Sequence, residues 1–438
     1  MRYDVAILGA GVLGVTTAFW LSSLSDCSIA LIDKESTVAF HTSSRNTGVV
    51  HRPFYLNPEK KRTFARAAQK SYFLWSSLVK RYELPWVQVG TLEIAVKDSQ
   101  VPTLSQYREW ALKNGMEEKE VRVLDSAGVR DIEPMVSCAG AIYSKTDTAV
   151  DYRLFTNCIF RLAERNGVEF ISNREVVNLE ENADDASVFL RDRKTAAASK
   201  ITCNLLINAA GGGAIDVAHK LGVARQYTDL HFRGEYWVVQ DSFGQKIRRN
   251  IYSVAKHKEF PFLDPHFIVR ANGRREVGPN AVLVSGPGAY KGLSSSKPEL
   301  IMKLFERPNS PKLKLFTNSQ FLSLAWQEWR SSISKKGMCK RVKQFIPALD
   351  SSKFQERGLA GVRSSVIDDH GFVPEAILVD GRRSLHILNY NSPGATGAPA
   401  YSAFIVKRIF QGDFVSRAES EKPALKDIGW NFETSSDL

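Results

Sequence analysis

His51 lies in the run HTSSRNTGVVHRPFYLNP, residues 41–58, after Gly-Val-Val and before Arg52-Pro53 and Tyr55. An imidazole with an ordinary pKa near 6.5 can accept a proton at neutral pH. His51 is therefore either a general base or a polar residue in a connecting loop, and its neighbours alone leave both readings open. A second group lies in the strand-rich stretch from about 231 to 285, which carries Arg233, Tyr252, His266 and Arg270. In HFIVR, His266 and Arg270 are four residues apart and share one face of a strand. Such a cluster of cations suits an anionic small molecule.

A third group is the run Gly9-Ala10-Gly11-Val12-Leu13-Gly14. It stands between an apolar strand, YDVAIL, and a helix beginning near residue 11. Gly9 permits a tight turn, Gly11 lets a pyrophosphate approach the backbone, and Gly14 lets helix and strand pack closely. The phosphates then meet the free N–H groups and the positive end of the helix dipole. SIALID, residues 28–33, ends the second strand on Asp33, which can accept hydrogen bonds from a ribose hydroxyl. The fingerprint alone does not separate FAD from NAD. LLINAAGGGAID (205–216) offers a second close backbone approach, and NSPGATGAPAYSAFIV (391–406) sets a Gly-rich turn at the head of an apolar helix. A second helix N-terminus suits a flavin that becomes anionic on reduction, so FAD is favoured.

The elements that must hold these groups alternate along the chain. Strand–helix–strand pieces occur at the beginning, middle and end. Helical spacing of Phe64, Ala68, Trp75, Leu78 and Val79 predicts a helix within 58–82, and another over 153–165 ends at Asn166-Gly167. Residues 298–345 read as helical. The fold class expected is α/β: a discontinuous Rossmann-like FAD-binding domain (1–85, 149–225 and 356–412) with an antiparallel or mixed β-sheet substrate domain (86–148 and 226–355). Residues 413–438 are polar and read as a loose C-terminal tail.

The 438 residues are too many for one core, and 43% apolar with 24% charged residues is an ordinary globular composition. No apolar run has the length of a membrane-spanning helix, and the chain opens at once on a strand with no room for a targeting peptide. Five scattered cysteines, never in CxxC spacing, argue for a reducing compartment (cytoplasm or an organellar matrix) and against a metal site. The formal charge is +12, and WRSSISKKGMCKRVK (329–343) contains no acid. Beside Trp326 and Trp329 that segment reads as a solvated helix face or as a contact for an anionic membrane surface. Nucleic acid is not expected, since no recognition motif accompanies the charge.

With these residues in view, the chain resembles the D-amino-acid oxidase/glycerol-3-phosphate dehydrogenase superfamily of FAD enzymes. Within it, the chain is most similar to the L-2-hydroxyglutarate dehydrogenases. RNTGVVH (45–51), GTLEIAV (90–96), VDYR (150–153), FRGEYW (232–237), NIYSV with FPFLDPHF (within 250–267), VGPNAVL (277–283), KQFIPAL (343–349), AGVRSSVIDDHG (360–371) and NSPGATG (391–397) carry the resemblance in family order. It implies FAD and the oxidation of an L-2-hydroxy acid to a 2-oxo acid, with hydride passing to flavin N5 while a base takes the hydroxyl proton. His51 is the expected base. Arg363 stands where the superfamily holds a substrate carboxylate, and Arg233, His266, Arg270, Tyr252 and Tyr55 are expected around the rest of a 2-hydroxy dicarboxylate. FAD is expected on Gly9, Gly11, Gly14, Asp33, Lys34, Ser43, Arg45, Asn46, Val176, Ala210, Gly211, Gly394, Thr396 and Gly397. Electrons would pass on to a membrane quinone, oxygen or a soluble carrier. Arg52-Pro53 departs from the small residue and glycine usual in the family, which puts the loop's shape and the substrate in question. The rivals are an amino-acid or amine oxidase or a glycerol-3-phosphate dehydrogenase of the same fold, and a membrane-associated flavoprotein whose flavin is not catalytic.

Overall fold

The computed structural model describes residues 1–256, 260, 264–292 and 297–438; part of the FPFLDPHF stretch lies outside them. The glycine fingerprint forms the turn between β1 (Arg2–Leu8) and α1 (Val12–Leu24), with β2 (Ile29–Ile32) following. The parallel sheet runs Glu169–Ile171, β2, β1, Ala198–Asn208, Ser384–Leu388, and Ile377–Asp380 closes its edge antiparallel. Strand order reverses between β1 and Ala198–Asn208. In open α/β sheets, the crevice beyond the carboxyl ends at such a reversal is where ligands bind. Here those ends run into Gly9 and Ala209.

The inner strands read as unbroken apolar runs because both faces are covered: Val5, Ile7, Ile29 and Leu31 pack on helices, while Tyr3, Ala6, Leu8, Ala30 and Ile32 pack on the strands Arg174–Glu181 and Ala186–Asp192. All thirteen residues of α1 are buried, including Thr16, Thr17, Ser22 and Ser23. Its hydroxyls are satisfied locally: Thr16 bonds the Val12 carbonyl at 2.7 Å and meets Ser402 Oγ at 2.6 Å. Trp20 Nε1 donates to Pro399 O at 2.9 Å, pinning α1 to the helix Gly394–Gln411.

The second sheet has eight strands in the order Phe354–Arg357, Trp237–Val239, Arg275–Gly278, His266–Val269, Asn250–Ser253, Thr91–Ala95, Gly140–Ser144, Val121–Asp125. All pairings in it are antiparallel except Asn250–Ser253 with Thr91–Ala95. A third sheet of four strands centres on Thr228–Gly234 and Gly361–Asp368, with Phe232 opposite Arg363. That pairing joins residues on either side of the division expected at 355/356. A two-stranded ribbon, Val49–Val50 with Thr148–Ala149, brings Asp147 beside His51.

Residues 413–438 do not hang loose. Leu425, Ile428, Trp430 and Phe432 are buried against α1 and α2 (Arg62–Tyr82). Trp430 packs against Phe19 and Trp20 with ring centres 5.6 and 5.3 Å away, and its Nε1 donates to Leu74 O at 2.8 Å. The apolar anchors are irregularly spaced within a polar stretch, so periodicity alone does not reveal them. Burying one Trp contributes several kcal/mol, about 3–5 by truncation.

Candidate active site

The cofactor end follows from β1, α1 and β2. Gly9 has φ +102°, and a Cβ there would stand 2.5 Å from the Ala209 carbonyl oxygen; one on Gly14 would stand 1.9 Å from Gly9 O. Neither position admits a side chain. Asp33 closes the turn, its Oδ2 accepting from Ala10 N at 2.7 Å and its Oδ1 from Glu35 N at 2.8 Å. Lys34 is exposed at the same strand end, and its carbonyl accepts from Arg193. Val176 lies in Arg174–Glu181, whose first residue bonds Asp33 O at 3.0 Å. Ser43 Oγ accepts from Val12 N at the head of α1 at 2.9 Å, and a Cβ on Gly11 would stand 3.1 Å from it. Ala210 and Gly211 follow the neighbouring strand, and nothing lies within 4 Å of a Cβ on Gly211.

The loop 41–51 bridges the sheets. Asn46 folds it by bonding Thr42 O and Ser43 O and accepting from Gly48 N. Arg45 lies over the Tyr290 ring at 4.2 Å, and its carbonyl presses so closely on Gly361 that no Cβ fits there. The loop ends at the helix Gly394–Gln411. There Thr396 Oγ1 accepts from His51 N at 3.2 Å and meets Tyr152 OH at 2.9 Å. Gly397 is so close to the Tyr390 ring that a Cβ would stand 3.0 Å from its hydroxyl. Gly394 begins this helix with no side-chain cap.

These residues fit an FAD. Among the described residues, the buried Tyr390 OH and His266 Nε2 find no hydrogen-bond partner. Burying such atoms is costly unless a bound group completes them.

His51 is buried, and its Nδ1 lies 3.1 Å from Asp147 Oδ2. A carboxylate only accepts, so in the neutral ring Nδ1 carries the hydrogen and the lone pair lies on Nε2. Asp147 is fully buried and held from every side. Thr91 Oγ1 donates to its Oδ2 at 2.9 Å, while Ser144 Oγ (2.6 Å) and Arg52 N (3.1 Å) donate to Oδ1. Tyr55 and Tyr252 stand edge-on to the His51 ring, with centres at 5.9 and 5.6 Å. Tyr252 in turn stacks on His266 at 4.0 Å. Burial pushes the Tyr55 and Tyr252 hydroxyls far up, so both stay protonated.

His266 has a different setting. Its Nδ1–H donates to the Asp264 carbonyl at 3.0 Å, leaving Nε2 as an acceptor. Burial pushes its pKa down to about 3. The Asp264 bond opposes this, while His51, Arg363 and Arg270 push it further down. His266 is thus a neutral acceptor and a poor base.

Arg363 lies near Tyr236 and Tyr55, and burial lowers its pKa from the usual guanidinium value. Arg270 and Arg233 each have a carboxylate partner. Arg270 bonds Glu276 at 2.9 and 2.6 Å and Asn46 O at 2.5 Å, tying the loop to the sheet. Arg233 meets Glu235 at 3.2 Å and donates to Gly292 O. Arg52 also faces away from His51. Fully buried, it forms a two-pronged pair with Glu120 at 2.7 and 3.1 Å, donates to Gln69 at 2.9 Å, and lies over the Tyr72 ring. Pro53 then starts the short turn Pro53–Tyr55 that brings Tyr55 back to the His51 ring.

The sequence reading passed over two residues. Asp147 has no motif around it and reaches His51 only through ribbon pairing 96 residues apart in sequence. Lys61, partly buried at the head of α2, is lowered in pKa first by burial and then by Arg363, with Glu375 opposing. Its place in a helix-start run of basic residues, KKR, reads as surface charge.

The comparisons with known proteins agree with this geometry. Residues 4–408 match the family model described as DAO, FAD dependent oxidoreductase. The mitochondrial L-2-hydroxyglutarate dehydrogenase of Caenorhabditis briggsae is 28% identical over 411 residues, covering 92% of each chain. The L-2-hydroxyglutarate dehydrogenase of Escherichia coli K12 is 27% identical over 410 residues, covering 93% of each. Among solved structures, the FAD-bound L-alpha-glycerophosphate oxidase of Mycoplasma pneumoniae superposes with a TM-score of 0.74 at 21% identity, covering 99% of this chain and 98% of that one. Glycine oxidase of Geobacillus kaustophilus gives 0.67 at 15% identity, covering 95% and 96%. The glycine turn, the switch-point crevice and a match spanning nearly the whole chain place this protein in the DAO family of FAD-dependent oxidoreductases.

Proposed function

We propose that the enzyme oxidises an L-2-hydroxy dicarboxylate, L-2-hydroxyglutarate, to 2-oxoglutarate. The observation that carries this reading is the buried His51–Asp147 pair, with Tyr55 edge-on to the His51 ring and near Arg363, whose charge in turn reaches Lys61. FAD, when bound, supplies the two-electron acceptor for the hydride that leaves C2 of the substrate. His51 Nε2 takes the hydroxyl proton as the carbonyl forms, and the resulting imidazolium faces the Asp147 carboxylate. Arg363 grips one carboxylate with its planar fork, and Lys61 meets the other as a point charge. Arg233 and Arg270 already have Glu235 and Glu276, so we give them the task of shaping the pocket walls. The L-2-hydroxyglutarate dehydrogenases among the relatives support the choice of acid.

Anaerobic mixing of the FAD-loaded enzyme with a panel of acids tests this. Bleaching of the flavin absorption by L-2-hydroxyglutarate, and not by D-2-hydroxyglutarate, glycerol 3-phosphate or amino acids, is expected. Faster bleaching by glycerol 3-phosphate or an amino acid would replace this reading with another oxidase chemistry of the family. Bleaching by none would favour a flavin that is not catalytic.

A further inference from the structure

The helix Ser319–Ile333 has two apolar faces, and among the described residues the fold buries one of them and leaves the other exposed. Phe321 and Leu324 point inward and join the core formed with Leu230, Phe232 and Ile367 on the sheet that carries Arg363. Glu328 fixes the same face, accepting from Ala281 N and Arg341 Nη1 at 2.8 Å each. The outward face carries Leu322, Trp326, Trp329 and Ile333. Their 4-3-4 spacing makes one stripe along the helix. Trp326 and Ile333 are 57% and 58% exposed, and the two indoles stack on each other at 4.9 Å. Apolar residues scattered singly over a surface need no explanation, but a continuous aromatic stripe does.

Along the chain, the charge flanking the stripe is one-sided. Residues 307–349 contain nine lysines and arginines and a single acid, Glu328, which is buried and paired. In the next helix, Lys335–Val342, Lys336 and Lys340 are exposed, and Lys343 just after it continues their spacing. A second copy of this chain would set like charge against like charge, which argues against self-association.

We infer that this outward face docks on an anionic lipid surface, with the Trp326–Trp329 pair seated among the headgroups and Lys336, Lys340 and Lys343 over the anionic phosphates. Indoles favour the interface because the ring is apolar and its N–H is polar, and nearby lysines add attraction that salt screens. The inference is independent of which acid the enzyme oxidises.

Co-sedimentation of the FAD-loaded enzyme with two kinds of vesicle tests it, one of phosphatidylcholine alone and one of phosphatidylcholine mixed with phosphatidylglycerol. Binding to the mixed vesicles, weakened by salt and much weaker on phosphatidylcholine, is expected. Trp326→Ser with Trp329→Ser, and separately Lys336→Glu with Lys340→Glu and Lys343→Glu, should each lower that binding on the order of tenfold. FAD content, melting temperature and activity with a soluble dye should stay unchanged, which separates lost docking from lost folding or lost chemistry. No binding to mixed vesicles, equal binding to both kinds, or binding that survives both sets of substitutions would overturn the inference. So would salt-sensitive capture by an acidic protein with no affinity for either vesicle.

Discussion

His51 and His266 are both buried imidazoles whose Nδ1–H donates to a fixed oxygen, and Tyr252 touches both rings. What surrounds them differs. His51 leans on a fully buried carboxylate, so a proton on it meets an opposite charge. His266 leans on a neutral carbonyl, and its burial above all, with Arg363 and Arg270 adding like charge, disfavours a proton on it. The two neighbouring rings thus differ in what backs them, a carboxylate behind one and a neutral carbonyl behind the other, and burial keeps the second ring neutral. Burial alone does not make a base. The partner on the far ring nitrogen does.

The sharpest way to break this comparison is to remove each ring. His51→Ala should slow anaerobic flavin reduction by about 10²–10⁴-fold while FAD stays bound. His266→Asn should slow it far less, and the reverse order, read by stopped-flow absorbance, would exchange the two roles. Asp147→Asn tests the cause directly. An amide can turn its NH₂ toward Nδ1 and force the hydrogen onto Nε2, so the rate should fall roughly 10–100-fold. The pH profile of reduction should also move, since the imidazolium loses its counter-charge. A fall in rate with an unmoved profile would reduce Asp147 to a packing role.

The cations come next. Arg363→Lys should raise KM strongly for every 2-hydroxy acid, because a point charge does not replace the two-pronged grip. Lys61→Met should raise KM by about tenfold for the dicarboxylate and leave a monocarboxylate such as lactate unchanged, on the scale of one charge-assisted hydrogen bond. Equal effects on both acids would mean that Lys61 does not read the second carboxylate.

The smallest effect is on stability. Folded His266 takes a proton only near pH 3, while an unfolded imidazole does so near 6.5. The unfolded state therefore binds more protons between those values, and stability falls as the pH is lowered through that window. The loss is about 1.4 kcal/mol per pH unit. At pH 5 it amounts to about 2 kcal/mol for this residue. His266→Asn should accordingly flatten the acid limb of the melting curve between pH 7 and 5. An unchanged limb would mean that the ring is not held neutral.

Some of this was legible from local residues. The Gly9–Gly14 turn, Asp33 and the strand–helix–strand pieces follow from steric limits and periodicity that act over a few residues, and the structure places them together. His51 was legible as a titratable group beside a turn. Its partner was not, because the ribbon that delivers Asp147 pairs only two residues on each side and leaves no pattern in the chain. Arg52-Pro53 read as a disturbance of the substrate site. The structure turns the guanidinium inward to Glu120 instead, and the proline shapes the turn that carries Tyr55. The polar composition of 413–438 concealed four buried anchors, since α1, α2 and the helix Gly394–Gln411 together provide the surface they fill.

The sequence by itself determined the dinucleotide turn, the parallel sheet around it, the FAD chemistry class and the inventory of cations. These depend on glycine's missing side chain, on apolar periodicity and on motifs carried by adjacent residues. Only the tertiary structure decided which histidine has a carboxylate behind it, that Arg233 and Arg270 pair with Glu235 and Glu276, and which lysine feels the charge of Arg363. Charge and proton affinity inside a protein depend on neighbours within a few ångströms, and those neighbours come from strands far apart in the chain.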